Sequence, residues 1–216
     1  MTKRIVAALG DFYHDRDLAV QSLEAAVKSI EGIEIEYKHV DELVESLQTN
    51  PDAVILFAEN RINPEDDQVK TWMDNDAALA INRFVENGGG WLAWHSGLAS
   101  YDNIEAYTSM LHGYFKYHPE KHQVVSYTFN PDSNFIDDGQ NFEILDEHYF
   151  VACDVENTSV FLTSDSVDGS SIAGWYHDYG KGKVVCLIPA HLEEGLMHPV
   201  VQKLLINSIK KVSDLA

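Results

Sequence analysis

Gly88-Gly89-Gly90-Trp91-Leu92-Ala93-Trp94-His95-Ser96-Gly97 is the stretch that decides the fold. The glycines stop a helix by supplying the left-handed backbone of its C-terminal cap. The apolar run after them has the pattern of a strand buried on both faces of a parallel sheet. The run breaks at His95-Ser96-Gly97, which predicts a sharp strand-to-turn elbow with one side chain lifted above the sheet.

The flanking segments extend this pattern. Residues 75–87 carry Ala77, Ala80, Ile81, Phe84 and Val85 at helical spacing. Pro51 precedes a continuous apolar run at 53–58, the mark of a central parallel strand. Residues 3–9 form a β-branched and alanine run closed by Gly10-Asp11. A helix is predicted over 15–30 from Leu18, Ala19, Leu23, Ala26, Val27 and Ile30, and 33–40 alternate as a second strand. The first hundred residues therefore read strand, helix, strand, strand, helix, strand. That order predicts an α/β fold, a mostly parallel sheet with helices on both faces.

The second half reads differently. Short strands are expected at 124–129, 142–145, 149–152, 160–163 and 172–177, as antiparallel additions to the sheet. A turn at Tyr179-Gly180-Lys181-Gly182 precedes a strand at 184–188. Pro199 opens a last helix with Val201, Leu204, Leu205, Ile209 and Val212 on its apolar side. There is no internal repeat and no strong linker, so residues 1–216 are expected to be a single domain.

Composition narrows the function classes. Hydrophobic residues at 45% and charged residues at 23% exclude wholesale disorder. Fifteen Lys and Arg against 35 Asp and Glu leave a net charge of −20, which argues against nucleic-acid phosphates and anionic membranes as partners. The basic start at Met1-Thr2-Lys3-Arg4 is followed by an apolar run that reaches Gly10-Asp11 too soon for a signal peptide. Cys153 and Cys186 show no framework spacing and read as buried thiols, so a reduced, cytoplasmic setting is expected. On that ground the sequon Asn157-Thr158-Ser159 is discarded. Homo-oligomerisation stays open.

In open α/β sheets ligands bind beyond the carboxyl ends of the strands. The first strand is followed by Asp11, Tyr13, His14 and Asp15, and the 53–58 strand by Glu59, Asn60 and Arg61. Next come His95 and Ser96 at the elbow, and His191, Glu193 and Glu194 after the last strand. Three strand ends thus deliver a histidine to one rim. Class I glutamine amidotransferases hold a nucleophilic cysteine two residues before the elbow glycine, where this chain has His95. Ser96 lacks a Gly-x-Ser-x-Gly setting and reads as a capping hydroxyl.

His14, His95 and His191, with Asp15 or Glu147, would make a nitrogen and oxygen site for zinc or manganese. No HExxH and no i, i+4 histidine pair supports it. The alternative is a metal-free pocket of neutral imidazoles for a hydroxylated ligand, and that is the preferred reading, because His14 stands two or three residues past its strand. In Asp146-Glu147-His148-Tyr149, alternation puts Glu147 and Tyr149 on one face, as a base and a phenolic donor, or leaves them on a solvated edge. Trp91, Trp94 and Trp175 read as core before stacking platforms. There is no P-loop and no GxGxxG.

Taken together these motifs resemble the ThuA-like (trehalose utilisation) family, whose fold is similar to class I glutamine amidotransferases. The resemblance runs through Tyr13-His14-Asp15, Gly88-Gly89-Gly90 with His95-Ser96, Gly113-x-Phe115-x-x-His118-Pro119 and Asp146-Glu147-x-Tyr149. It continues through Trp175, Gly180-Lys181-Gly182-Lys183-Val184, His191 and Pro199. Ala190 departs from it, standing where the family usually has glycine. The resemblance implies a flavodoxin-like sheet, a pocket at His14, His95, Glu147, Tyr149 and His191, and a role with trehalose, related glucosides or sugars oxidised at a ring carbon.

The reading that follows is a carbohydrate-processing enzyme working by acid–base chemistry on a disaccharide or keto-sugar. Glu147 is expected as the base, Tyr149 or His191 as the acid, and His95 as the group polarising the substrate oxygen. His14, Asp15, Ser96, His118 and Trp175 are expected to bind substrate. The rival readings are a sugar-binding or regulatory module that lost the amidotransferase nucleophile, and a metal-dependent hydrolase.

Overall fold

The computed structural model describes residues 2–215, so Met1 and Ala216, the ends of the expected domain, lie outside the described residues. The chain begins with β1 (Lys3–Leu9), α1 (Arg16–Val27), β2 (Ile33–Lys38), α2 (Val40–Ser46), β3 (Ala53–Phe57), α3 (Asn75–Glu86) and β4 (Gly90–Trp94). Next are α4 (Glu105–Leu111), β5 (Gly113–Tyr117), β6 (Gln123–Phe129), β7 (Phe142–Asp146) and β8 (Phe150–Cys153). The last elements are β9 (Ser159–Ser166), β10 (Gly169–Tyr179), β11 (Gly182–Leu187), α5 (Glu193–Leu196) and α6 (Pro199–Val212).

One sheet runs β2-β1-β3-β4-β11-β10-β9-β6-β7, and β5 pairs with β8 apart from it. The strands β2, β1, β3, β4 and β11 are mutually parallel, and β10, β9, β6 and β7 extend them antiparallel. The central parallel strands β3 and β4 are apolar and buried at every position because helices cover them, whereas β2 at the sheet edge alternates charged and apolar residues. Helices α1, α5 and α6 pack together as one layer, and α2, α3 and α4 as another. Strand β6 instead alternates buried and open positions, as a strand with one wet face does.

Local chemistry sets the helix ends. Asp15, expected to bind substrate, instead caps the start of α1, its carboxylate accepting from the backbone of Asp17 and Leu18. Helix α3 ends at Asn87, and Gly88 takes φ +118 to turn the chain into β4. Three helices escape the sequence pattern. Helices α2 and α4 each span seven residues and α5 four, too short to show a full apolar stripe. Among the described residues no helix is long and apolar enough to cross a membrane.

One buried polar group couples this packing to pH. His177 on β10 donates from Nε2 to the Met110 carbonyl at 2.9 Å, with its ring 4.1 Å from that of His112. Burial, reinforced by His112, outweighs the Met110 carbonyl, Asp178 and Asp154 and holds its pKa down to about 4 from 6.5. As pH falls the unfolded chain takes up this proton first. The stability contributed by neutral His177 is therefore complete above about 6.5 and is lost as pH falls to about 4. The urea midpoint of His177→Gln should fall less steeply over that interval than that of the wild type.

Candidate functional site

The elbow after β4 is built under steric duress. His95 takes φ +45, a left-handed conformation that costs a non-glycine residue about 1–2 kcal/mol. Two residues on, a Cβ at Gly97 would stand 2.3 Å from the Leu56 carbonyl oxygen, so only glycine lets the chain cross the end of β3. The elbow buries the His95 ring completely. Its Nδ1 lies 2.8 Å from the carbonyl of Ile188, just past β11. A carbonyl only accepts, so Nδ1 carries the hydrogen and Nε2 is left bare.

Three other strand ends converge on this ring. After β1 the Asp11 carboxylate accepts from the backbone N–H of Tyr13, His14 and Glu59, and from His14 Nδ1 at 2.7 Å. That turns the His14 ring inward, with Nε2 toward the centre and the residue buried. Past β11 the backbone N–H of His191 donates to buried Asp146 at 2.8 Å, and Asp146 also accepts from the Tyr127 hydroxyl at 2.9 Å. After β7 the chain leaves the sheet and presents Glu147 and Tyr149 to the same point.

Glu147 sits at the middle. Its Oε2 is 3.5 Å from His191 Nδ1, 3.6 Å from His95 Nε2 and 3.9 Å from His14 Nε2. Its Oε1 is 3.4 Å from His118 Nε2. The Tyr149 ring stacks on His95 at 4.2 Å, and its hydroxyl is 3.4 Å from His14 Nε2. Above them opens a cavity of about 380 Å³, within the ordinary range for small-molecule sites. Its walls include Phe115, Ser100, Glu59 and Arg61. Glu59 Oε2 accepts from Arg61 at 2.8 Å and from the Ser100 hydroxyl at 2.8 Å. Glu59 and Arg61 also wall a neighbouring cavity of about 470 Å³ at the ends of β1 to β3.

The charge states follow from this crowding. Burial pushes the Glu147 carboxyl up, but His95, His191 and His118 pull it further down, to about 2. Burial lowers the His191 pKa to about 3, with His95 and His14 adding to it against Glu147. Burial also disfavours charge on His95, yet Glu147 and Asp146 outweigh it and raise that pKa. Burial and the surrounding carboxylates raise Tyr149 well above the usual phenol range, so it keeps its proton.

The structure thus gathers His14, His95, His118, Glu147, Tyr149 and His191 and corrects three expectations. Asp15 is exposed and capping α1, outside the cavity, because its carboxylate is committed to the helix N-terminus. Trp175 is fully buried, its indole N–H donating to the Leu111 carbonyl at 2.8 Å, so it is core. Ser96 neither caps its turn nor lines the cavity; its hydroxyl is buried without a partner. The argument for a metal-free pocket, that His14 sits too far past its strand, fails because Asp11 turns the ring back. The sequence placed Asp11, Glu59 and Arg61 at the strand ends where ligands bind but gave them no role, and it gave none to Ser100 or Asp146.

The ThuA family model, described as trehalose utilisation, matches residues 5–210. The protein belongs to the ThuA family. Solved relatives share the fold at low identity. A ThuA-like protein of Parabacteroides merdae superposes with a TM-score of 0.72 at 10% identity, covering 100% of this chain and 92% of its own. A ThuA-like protein of Bacteroides uniformis gives 0.69 at 16% identity, covering 98% and 91%. A cytoplasmic protein of Salmonella typhimurium LT2 gives 0.67 at 15% identity, covering 98% and 99%. No functionally curated protein matches the sequence. Membership in the ThuA family ties the chain to a carbohydrate-related role.

The elbow makes a sharp contrast between neighbours. Gly97→Ala should lower the unfolding free energy by roughly 2–4 kcal/mol, through the clash with Leu56. Ser96→Ala removes an unpaired buried hydroxyl and should be neutral or slightly stabilising. Urea denaturation of the two variants measures both, and a large loss in Ser96→Ala would restore a bonding role to that hydroxyl.

Proposed function

We propose that this ThuA-family protein is an enzyme that converts a small neutral carbohydrate, a trehalose-like disaccharide or a keto-sugar, by proton transfer in the 380 Å³ cavity. The observation that carries the reading is the cavity floor, where one carboxylate is ringed by four imidazoles beside a buried phenol. The wall favours a neutral polyhydroxyl over an anion. Glu59 and Glu147 face the cavity, and Arg61 is already paired with Glu59.

In this reading the base is His118 in place of the expected Glu147, and the acid is Tyr149, one of the two groups expected for it. His118 lies at the more open side of the cavity. Its Nδ1 donates to the Pro119 carbonyl at 2.8 Å, which leaves Nε2 free to accept a substrate proton. Glu147 Oε1, 3.4 Å away, stabilises the imidazolium so formed. The Tyr149 hydroxyl is the donor. Polarisation of the substrate oxygen falls to the group of His14, His95, His191 and Glu147.

Turnover and binding on a panel of trehalose, other glucosides and their keto derivatives test this. Tyr149→Phe and His118→Gln should each lower kcat by about 100-fold or more, while Kd for the same sugar moves only a few-fold. A wild type that binds a sugar but turns over no member of the panel would replace the enzyme with a sugar-binding module. A protein that neither binds nor converts any of them sinks the carbohydrate reading.

A further inference from the structure

The centre of the cluster poses an electrostatic problem. Hydrogen bonding fixes the protons of two rings on their outer nitrogens, His95 toward Ile188 and His14 toward Asp11. Their inner Nε2 atoms are therefore lone pairs. His95 Nε2 and His191 Nδ1 are both buried without a hydrogen-bond partner. All three nitrogens face Glu147 Oε2, itself only an acceptor. His14 Nε2 has the Tyr149 hydroxyl at 3.4 Å, but the other two nitrogens have no donor, and acceptors with nothing to accept from are costly in a buried site. A proton or a cation at the middle would satisfy the whole group.

The spacing favours the cation. The four donor atoms lie within 4.8 Å of one another, and Oε2 is 3.5, 3.6 and 3.9 Å from the nitrogens. Those separations are long for hydrogen bonds. Donors set tetrahedrally at about 2.0–2.2 Å from one ion stand roughly 3.3–3.6 Å apart. The supports behind the rings also fit. A ligating histidine commonly gives its other N–H to a carboxylate or a backbone carbonyl, which aims the ring. Here Asp11 and the Ile188 carbonyl hold His14 and His95 in that way, and Asp146 anchors the backbone of His191.

We infer that His14, His95, His191 and Glu147 bind one divalent first-row transition-metal ion at the floor of the cavity. Three imidazole nitrogens and one carboxylate oxygen suit zinc best and manganese less well, and they do not suit magnesium. His14, Glu147 and His191 line the cavity, so a ligand there reaches the ion. The inference rests on the same site as the carbohydrate reading and sharpens it, because the ion would supply the polarisation assigned to that group.

Elemental analysis of the purified chain tests it. The protein is stripped with a chelator, dialysed against Zn²⁺, Mn²⁺ or Mg²⁺, and checked for fold by circular dichroism. One zinc per chain is expected, with weaker manganese and no retained magnesium. Glu147→Gln and His191→Gln should weaken zinc binding at least 100-fold with an unchanged spectrum. Asp11→Asn, which alters the support behind His14 and the turn that the carboxylate ties to Glu59 but none of the four ligands, should weaken it about 10–100-fold. His112→Gln, outside the cluster, should keep the full zinc content. Cobalt substitution adds a readout independent of sugar, with visible bands present in His112→Gln and absent in Glu147→Gln. A folded chain that takes up no ion, or zinc binding that survives both cluster variants, overturns the inference. A folded chain that takes up no ion yet turns over a sugar sinks the metal and spares the proposed function. A zinc-loaded protein that binds no sugar does the reverse.

Discussion

The Asp11 carboxylate is the interaction on which the site depends. It accepts from three backbone N–H groups and one imidazole, and thereby ties the end of β1 to the end of β3. A buried carboxylate with that many donors is held ionised even though burial opposes it, and its pKa stays below the ordinary value. Without it the turn after β1 has no reason to fold back, and His14 would project into solvent. Asp146 plays the matching part on the other side, holding the loop after β11 against the end of β7. The cluster is thus assembled by main-chain hydrogen bonds to two buried acids, with its own members making few hydrogen bonds among themselves.

The frame was legible in the sequence because its signals are local. Buried parallel strands announce themselves as apolar runs, and the Gly88 turn sits where its helix ends. The elbow was equally legible, although its cause, the Leu56 carbonyl under Gly97, is a contact across the sheet that no local pattern encodes. The short helices α2 and α4 were not legible, since seven residues show too little periodicity.

For the site, residue type and strand-end position found all three cluster histidines, and alternation found that Glu147 and Tyr149 share a direction. What alternation could not supply was distance. Whether His14 turned inward was decided by a carboxylate three residues back, through a side-chain bond invisible to a pattern of apolar spacing. Trp175 shows the opposite failure. The sequence read its ring as core before a stacking platform yet kept it among the substrate binders, and its full burial and bond to the Leu111 carbonyl make it core.

Strand β11 has a further consequence for how the chain comes to life. It lies between β4 and β10, and so joins the parallel half of the sheet to the antiparallel half. Yet it is among the last segments to be made, at Gly182–Leu187. During synthesis the earlier residues can form two half-sheets with open edges, linked through α4 and the β5–β8 pair but not through the sheet itself. His14 and His95 belong to the first half, Glu147 and Tyr149 to the second, and His191 follows the strand that joins them. A product truncated before β11 would carry most of the reactive residues without the strand that joins the two halves of the sheet and without His191 beyond it.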